Sequence, residues 1–384
     1  MWRSVASNAL TALIVVMFLV AGVVAWGKGQ FSAEGPLDRA ICLRVLPGSS
    51  MTRVAEDLVA QGAISSRAIF RMGADYTDKA RLLKAGSFLI PEGASMEQII
   101  DDVTASGQST CGTEVVYRVG VNRTSAQVRE LDPETNRFVE RAEFDPGSEE
   151  APEAYVRAKE TADTRFRIAV AEGATSWQIV TALRDLDVLV GAVSEVPPEG
   201  ALAPDSYEVR PGTERGTVIA QMLSAQERRL AEAWEARVEG LPYDNAAEAL
   251  IMASIIEKET GQAEERRQVA SVFVNRLNRG MKLQTDPTVI YGITRGEGVL
   301  GRGLRQSELR RETPWNTYVI EGLPPTPIAN PGLASIEAAL DPDETPYIFF
   351  VADGTGGHAF AETLDEHNRN VAAWRQIEAE RANQ

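Results

Sequence analysis

An uncharged apolar run near the N-terminus constrains this chain more than any other feature. Residues Ala9 to Trp26 read ALTALIVVMFLVAGVVAW and contain no charged side chain. At 1.5 Å per residue, a helix of this length is long enough to cross the hydrocarbon core of a bilayer. We therefore predict that residues 1–27 form a cytoplasmic tip and a transmembrane anchor.

A cleaved signal peptide is the competing interpretation of this run. The run is longer than the usual signal core and lacks a clean small-x-small cleavage site near Trp26, which favours an anchor. Arg3 precedes the span and Lys28 follows it, so the positive-inside rule hardly decides the orientation. The content of the long C-terminal part instead favours its placement on the outer side of the membrane.

Charge and cysteine content narrow the class of partner. The formal net charge is −16, which argues against DNA, RNA and anionic lipid headgroups as partners, because these reward basic patches. A neutral polymer such as a sugar chain is more compatible. The two cysteines, Cys42 and Cys111, could form one disulfide or stay as thiols, and with only two histidines an ordinary zinc site is not expected. No cofactor is predicted.

Three segments repeat one pattern, in which a short β-like run is followed by a glycine turn, a hydroxyl residue and an amphipathic helix. They span residues 43–62, 88–107 and 168–186. In each segment a glycine supplies the turn and a Ser or Thr is suited to be the helix N-cap; the pairs are Gly48 with Ser50, Gly93 with Ser95 and Gly173 with Thr175. Such small strand–helix modules cannot bury their apolar faces alone, so we expect them to pack on one another or on a larger domain.

The stretch between the second and third modules is acidic and has few large apolar residues. Its sequence includes LDPETNRFVERAEFDPGSEEAPEAYVRAKETAD. We predict an irregular, partly mobile insertion or linker over residues 113–164.

The C-terminal region is predicted to be α+β and dominated by helices. Helical periodicity marks residues 217–237, 246–260 and 264–279, and YIFFVA at 347–352 is a strand candidate. In the second of these helices Met252, Ile255 and Ile256 form an apolar stripe that continues into Glu259. A carboxyl group held against an apolar wall has a raised pKa and can serve as a general acid.

Glu257 is a second candidate for the catalytic residue, and Glu259 also has a non-catalytic interpretation. Glu257 lies on a roughly opposite face with Ala253 and Ser254, which makes it the second choice. Most glutamates at the edge of a helix stripe are half-exposed or paired with a basic residue, so the helix pattern alone favours catalysis only weakly.

Several motifs in the C-terminal half identify a family. EKET, VASVFVNRL, LQTDPTVIYG, WNTY, GLPPTPIANPG and YIFFVADGTGGHAF occur in this order after the single apolar span. Together they resemble the endolytic murein transglycosylases of the MltG (YceG-like) family, and the resemblance extends from the anchor to about Arg375. It implies LysM-like strand–helix modules and a mainly helical, lysozyme-like catalytic domain. The acidic stretch has no counterpart in the shorter members of that family.

The resemblance also implies a reaction and a set of site residues. The reaction would cleave peptidoglycan strands between N-acetylmuramic acid (MurNAc) and N-acetylglucosamine (GlcNAc), leaving 1,6-anhydro-muramoyl ends. Lytic transglycosylases use one glutamate followed by a small hydroxyl residue, which matches Glu259 and Thr260. Amide, hydroxyl and aromatic side chains suited to acetamido sugars are Gln284, Thr285, Asp286, Tyr291, Asn316 and Tyr318.

These binding residues have structural alternatives. Thr285 or Asp286 could merely cap the turn before Pro287, and the two tyrosines could be core aromatics with satisfied hydroxyl groups. His358 and His367 are expected to be structural or peripheral, although the GGHAF loop could border the cleft.

Two other functions stay open on the sequence. One is a wall-binding scaffold without catalysis, and the other is a muramidase-type hydrolase with Asp286 as second carboxylate. The predicted partners are peptidoglycan glycan strands and the membrane, with peptidoglycan synthases or division proteins as further candidates. The predicted location is the inner (plasma) membrane, single-pass, with the C-terminal domains in the periplasm. The predicted domains are 1–27, the anchor; 38–112, two LysM-like modules; 113–164, the acidic insertion; 165–215, the third module; and 216–384, the catalytic domain.

Overall fold

The computed structural model describes residues 2–105, 110–161 and 163–382. The chain divides into two compact units. The first comprises Met1–Val115, Gln127–Glu143 and Ala151–Phe166, and the second comprises Val116–Ala126, Phe144–Glu150 and Arg167–Gln384. The domain boundaries of the sequence analysis stay a prediction.

Helices are the main elements, and the fold is mixed α+β as predicted. In chain order the helices are α1 Trp2–Ser32, α2 Met51–Ala60, α3 Arg67–Tyr76, α4 Met96–Thr104, α5 Glu153–Glu160, α6 Ser176–Asp185, α7 Arg215–Glu235, α8 Ala246–Glu259, α9 Arg266–Asn278, α10 Asp286–Thr294, α11 Gln306–Leu309, α12 Leu333–Leu340 and α13 Leu364–Ala382. The three helices expected in the C-terminal region correspond to α7, α8 and α9.

The strands are short. They are β1 Ile41–Val45, β2 Gly86–Ile90, β3 Thr113–Val119, β4 Thr124–Asp132, β5 Arg137–Phe144, β6 Arg165–Val170, β7 Leu189–Val190, β8 Ser206–Val209, β9 Thr213–Glu214, β10 Phe349–Ala352 and β11 His358–Ala361. The predicted strand at 347–352 is therefore present as β10, which pairs with β11 in an antiparallel hairpin.

The first unit contains the N-terminal helix and the first two modules. Strands β1 and β2 pair antiparallel, with Leu43 opposite Phe88, and α2, α3 and α4 pack on them. Completely buried side chains in this core include Leu43, Leu58, Phe70, Ile90 and Ile99. Within the described residues one helical segment, Leu10–Ser32, is long and apolar enough to cross a membrane, with a mean hydropathy of 2.5.

The helix N-caps follow the sequence pattern. Ser50, Ser95 and Thr175 each accept a hydrogen bond from the backbone N–H three residues later. Gly48, Gly93 and Gly173 have φ angles between 67° and 79°, which a side chain rarely tolerates. The predicted turns and caps of the three modules are thus confirmed.

The expected irregular linker over 113–164 is wrong for most of its length, because these residues form β3, β4, β5 and α5. Strands β3 and β4 contribute buried apolar residues: Val115, Tyr117, Val119, Ala126 and Val128 are at most 2% exposed. The acidic residues pair with arginines; Glu114 lies 2.5 Å from Arg129, and Glu130 lies 3.0 Å from Arg141. High charge therefore reflects ion pairs between neighbouring strands and not disorder.

The cysteines lie in the first unit and form a disulfide between Cys42 and Cys111. The sequence by itself leaves this pairing open, and disulfides form and persist in oxidising compartments and are rare in the cytoplasm.

The second unit is built around α8. This helix is buried on every side over residues 251–256, with α9 and α12 packed against it. Met252, Ile255, Ile256, Phe273 and Ala339 are completely buried in this core. Strands β3, β6 and β8 are adjacent in that order, and β7 and β9 pair in parallel.

Candidate active site

Glu259 is the last residue of α8, at the end of the buried segment. Asn245 caps the start of the helix by accepting a hydrogen bond from the N–H of Glu248 at 3.1 Å, and Thr260 ends it with an extended backbone. The residues one and two turns before Glu259 on its own face, Met252, Ile255 and Ile256, are completely buried. The helix therefore carries the carboxyl group out of the core into the neighbouring loops.

The carboxyl group of Glu259 is held by a threonine cluster. The hydroxyl of Thr285 donates a hydrogen bond to it. The N–H of Thr285 in turn donates to the hydroxyl of Thr317 at 3.0 Å, and the hydroxyls of Thr317 and Thr288 lie 2.9 Å apart. All three threonines are at most 3% exposed. Buried, mutually bonded side chains have few alternative rotamers, so Glu259 is oriented before any ligand arrives.

Burial raises the pKa of Glu259 above its ordinary value of 4.5. The hydrogen bond from Thr285 and the nearby charges of His358 and Arg276 act against this rise, whereas Asp286 adds to it. The net result is a raised pKa, which favours the protonated form of Glu259 relative to that of an exposed glutamate.

Glu257 makes hydrogen bonds to a different helix. Its carboxylate accepts hydrogen bonds from the N–H of Gly332 at 3.0 Å and from the hydroxyl of Ser335 at 2.8 Å. These groups belong to the first turn of α12, so Glu257 satisfies the free N–H end of that helix and its positive dipole. Ala253 and Ser254 are also completely buried, so the predicted smaller, polar face of α8 is an internal packing surface.

The LQTDP segment crosses in front of Glu259. Gln284 is exposed, has a φ of 49°, and donates its N–H to the carbonyl of Thr317 at 3.2 Å. Thr285 occupies the N-cap position of α10 but makes no side-chain capping bond, because its hydroxyl is directed to Glu259. The capping alternative for Thr285 is therefore wrong.

Asp286 and Tyr318 form a pair beside Glu259. The Tyr318 hydroxyl donates to the exposed carboxylate of Asp286 at 2.7 Å. Burial, followed by Asp286 itself, raises the pKa of Tyr318, so the hydroxyl keeps its proton. A tyrosine ring fixed by a carboxylate offers both a flat apolar face and a polar edge to a sugar.

Asn316 and Thr260 do not face open space. Asn316 is completely buried; its amide N–H groups donate to the carbonyls of Glu308, Leu309 and Arg311, and its oxygen accepts the N–H of Tyr318. The hydroxyl of Thr260, 4% exposed as a residue, accepts the N–H of Gln262 at 3.0 Å. Asn316 thus supports the turn that carries Tyr318, and Thr260 supports the turn that follows α8.

Tyr291 belongs to a neighbouring part of the same unit. Its hydroxyl bonds to Glu199, and its ring lies 5.9 Å from that of Trp315. It lines a cavity of about 320 Å³ with Lys258, Pro287 and Ile290. The residues that line this cavity do not include Glu259, Asp286 or Tyr318. Two larger cavities, of about 570 and 640 Å³, border Arg267 and contain none of the predicted site residues.

Comparison with known proteins places these residues in a family. The YceG-like family model matches residues 43–373. The chain belongs to the YceG-like family. It is 28% identical over 353 residues to the endolytic murein transglycosylase of Bacillus subtilis (strain 168), covering 91% of this chain and 89% of that one.

This YceG-like chain is also similar to a second named relative and to a protein of solved structure. It is 27% identical over 376 residues to the endolytic murein transglycosylase of Streptococcus pneumoniae serotype 2 (strain D39), covering 93% of this chain but 64% of the relative. A YceG-like protein from Listeria monocytogenes has a solved structure with 24% identity, a TM-score of 0.46, and coverage of 86% of this chain and 98% of its own.

Two basic side chains near Glu259, Arg276 and His358, are not among the site residues predicted from the sequence. Arg276 on α9 is 7% exposed and donates to the carbonyl of Ile348 at 2.7 Å, and its charge acts on Glu259. His358 on β11 also acts on Glu259, and its Nδ1 lies 2.9 Å from the carboxylate of Glu265. The helical period could have indicated Arg276, which has buried Val269 seven residues earlier and Val272 four residues earlier; His358 was predicted to be structural or peripheral.

His367 packs against an aromatic side chain. His367 stacks on Phe349 with ring centroids 5.0 Å apart, and burial lowers its pKa. Among the described residues, no group of three or more His, Cys, Asp or Glu side chains is arranged to hold a metal ion.

Proposed function

We propose that this protein is a membrane-anchored endolytic murein transglycosylase that cleaves MurNAc–GlcNAc bonds within peptidoglycan strands and leaves 1,6-anhydro-MurNAc ends. The observation that carries the proposal is the Glu259 carboxyl group, which is partly buried at the end of α8, has a pKa raised by that burial and accepts a hydrogen bond from Thr285. The family membership and the names of the relatives support the same activity.

One carboxyl group suffices for this chemistry. Protonated Glu259 donates its proton to the glycosidic oxygen as the bond from that oxygen to C1 of MurNAc breaks. The C6 hydroxyl of the same sugar then attacks C1, and its proton passes to the Glu259 carboxylate. The acid is regenerated and no water is consumed. Because the attack is intramolecular, correct positioning of the sugar contributes much of the rate.

Other residues bind the sugar and keep the carboxyl group in place. We assign Tyr318, Asp286 and Gln284 to sugar contacts, since they lie at or near the surface around Glu259. We assign Thr285, Thr260 and Asn316, which are buried, to holding the sugar-binding residues in position. Tyr291 contributes to a neighbouring subsite in the cavity along α10.

The strand–helix modules and the N-terminal helix complete the proposal. The β1–α2–α3–β2–α4 arrangement of the first unit supports a LysM-like, glycan-binding role. The apolar helix supports anchoring in the inner membrane, and the disulfide supports a periplasmic position for the folded part of the chain. Cutting near the membrane favours nascent strands as the substrate.

Asp286 supports a second candidate function. Its charge acts on Glu259, so it is near enough to be the second carboxylate of a muramidase-type hydrolase. Such a reaction would add water to C1 and leave a reducing end. The hydrogen bond from Tyr318 to Asp286 favours a binding role instead.

The test is mass spectrometry of purified glycan strands digested in water enriched in ¹⁸O. We compare the wild-type protein, Glu259→Gln and the matched control Glu257→Gln. The proposal predicts anhydro ends without ¹⁸O, a loss of at least about a hundredfold in Glu259→Gln, and retention of activity in Glu257→Gln.

Two other results would support a different function. Reducing ends that carry ¹⁸O and disappear in Asp286→Asn would establish the hydrolase. Strand binding without cleavage by any protein would favour the non-catalytic scaffold.

A further inference from the structure

The N-terminal helix is longer than a membrane span requires. Helix α1 contains 31 residues, which corresponds to roughly 46 Å at 1.5 Å per residue, whereas a hydrocarbon core is roughly 30 Å thick. The apolar run ends at Trp26, which is 62% exposed, and a tryptophan in this position is typical of the membrane interface. The last turns of α1 therefore lie beyond the hydrocarbon.

These last turns are packed against the first unit. Phe31 contacts the unit's core, and it meets α3 at Gly73, where an added Cβ would come within 2.1 Å of the Phe31 ring. Gly73 thus allows the two helices to approach closely. Phe31 follows Trp26 by five residues, or roughly 7.5 Å along the helix, which is comparable with the thickness of one headgroup layer. Helix α3 is consequently held at the level of the headgroups.

The exposed surface of α3 and the turn after it suits that position. Met72 is 62% exposed, Tyr76 is 86% exposed and Leu82 is 51% exposed. Met72 and Tyr76 are four residues apart and share one face of α3. Large apolar side chains at such exposure are costly in water but favourable in the interface of a bilayer.

The charges around these side chains are basic although the whole chain is acidic. Between residues 67 and 84 there are five lysines and arginines and two aspartates, in a chain of net charge −16. Exposed basic residues in this segment are Arg67, Arg71, Arg81 and Lys84. Basic side chains beside apolar and aromatic ones match a surface of anionic lipid headgroups.

We propose that this surface, formed by Arg67, Arg71, Met72, Tyr76, Arg81 and Leu82, docks on the membrane that α1 spans, with a preference for anionic lipids. The inference rests on the membrane anchor of the proposed function. The docked surface and the span together fix the first unit against the bilayer at two places, so that it does not swivel freely on its anchor.

The test uses the full chain reconstituted in vesicles, after flotation has established that α1 is inserted. Both native cysteines are in the disulfide, so Met72→Cys supplies a single thiol for an environment-sensitive fluorophore. Val139→Cys on β5, with a parent residue that is 41% exposed, is the matched control. Quenching by spin-labelled headgroups then reports docking at each position.

We expect stronger quenching at position 72 than at position 139, and more of it in vesicles with anionic lipid than in zwitterionic ones. Each arginine near an anionic surface contributes roughly a fivefold change in partitioning, so Arg71→Gln and Arg81→Gln should each lower the docked-to-undocked ratio by about that factor. Thermal unfolding of each variant checks that these exposed substitutions leave the unit folded.

Three results would overturn the proposal in distinguishable ways. Flotation of the chain with equal quenching at both positions would reject docking while leaving the anchor intact. Failure of the chain to float with vesicles would reject the anchor itself. Protection of position 72 in cell envelopes but not in pure lipid vesicles would assign the surface to a protein partner.

Discussion

At the scale of single residues, the site depends on how its surroundings treat two neighbouring glutamates. Glu257 receives two hydrogen bonds from the start of α12, whereas the partly buried Glu259 has one hydroxyl donor and a pKa raised by burial. Two carboxyl groups two positions apart on one helix thus have different surroundings.

The raised pKa of Glu259 predicts a pH-dependent cost in stability. A carboxyl group whose pKa is higher in the folded than in the unfolded state stabilises the fold below the unfolded pKa, and this contribution is lost as pH rises through the folded pKa. Glu259→Gln does not ionise, so its free energy of unfolding should increase relative to that of the wild type as pH rises from about 4.5. Urea titrations at several pH values measure this; a constant difference between the two proteins would contradict it.

The hydroxyl of Thr285 should set where activity declines with pH. Thr285→Val removes the hydrogen bond that stabilises the Glu259 carboxylate, so the pKa of Glu259 should rise further. The falling limb of the kcat/KM profile should move to higher pH, because the protonated acid persists there. Thr285→Ser should restore the original profile. A lower rate with an unchanged profile would indicate a purely structural role.

At the scale of elements, loops are held in place by buried side chains that never touch the substrate. Asn316 donates to three backbone carbonyls and accepts one N–H, which shapes the turn that presents Tyr318. The sequence motif WNTY therefore combines a supporting residue with one at the surface.

Removal of that support should cost both stability and substrate binding. Asn316→Ala removes the buried amide that donates to three backbone carbonyls, at a total cost of roughly 1–3 kcal/mol. We expect a lower free energy of unfolding and a larger KM, since the turn that carries Tyr318 loses its shape. Tyr318→Phe is the matched control, and it should affect KM with little change in stability. Wild-type stability in Asn316→Ala would argue against this role.

At the scale of the whole molecule, the disulfide and the proposed catalytic glutamate belong to different compact units. A substitution at the disulfide is therefore expected to change the free energy of unfolding of the first unit and to leave the rate of cleavage unchanged, provided that each unit keeps its own buried core.

Removal of the disulfide tests this separation. Cys42 and Cys111 are 69 residues apart, so their bond restricts the unfolded chain by about 4 kcal/mol in the chain-entropy account. The double variant Cys42→Ser, Cys111→Ser should unfold at lower temperature, as should the reduced wild-type protein. The rate of cleavage of short soluble strands at low temperature should remain unchanged. A parallel loss of that rate would show that the units are coupled.

The sequence by itself determined those features that depend on residues a few positions apart. The N-caps Ser50, Ser95 and Thr175, the glycine turns, the span of α8 and the stripe leading to Glu259 all follow from local hydrogen bonds and helical periodicity. Local composition misled over residues 113–144, because the arginines that neutralise their acidic residues lie on neighbouring strands.

Only the tertiary structure decided what surrounds the two glutamates. Thr285 is 26 residues from Glu259, Ser335 is 78 residues from Glu257, and Glu265 is 93 residues from His358. The same kind of side chain has different hydrogen-bond partners according to which distant groups lie beside it, and sequence periodicity reports which face is buried but not what it is buried against.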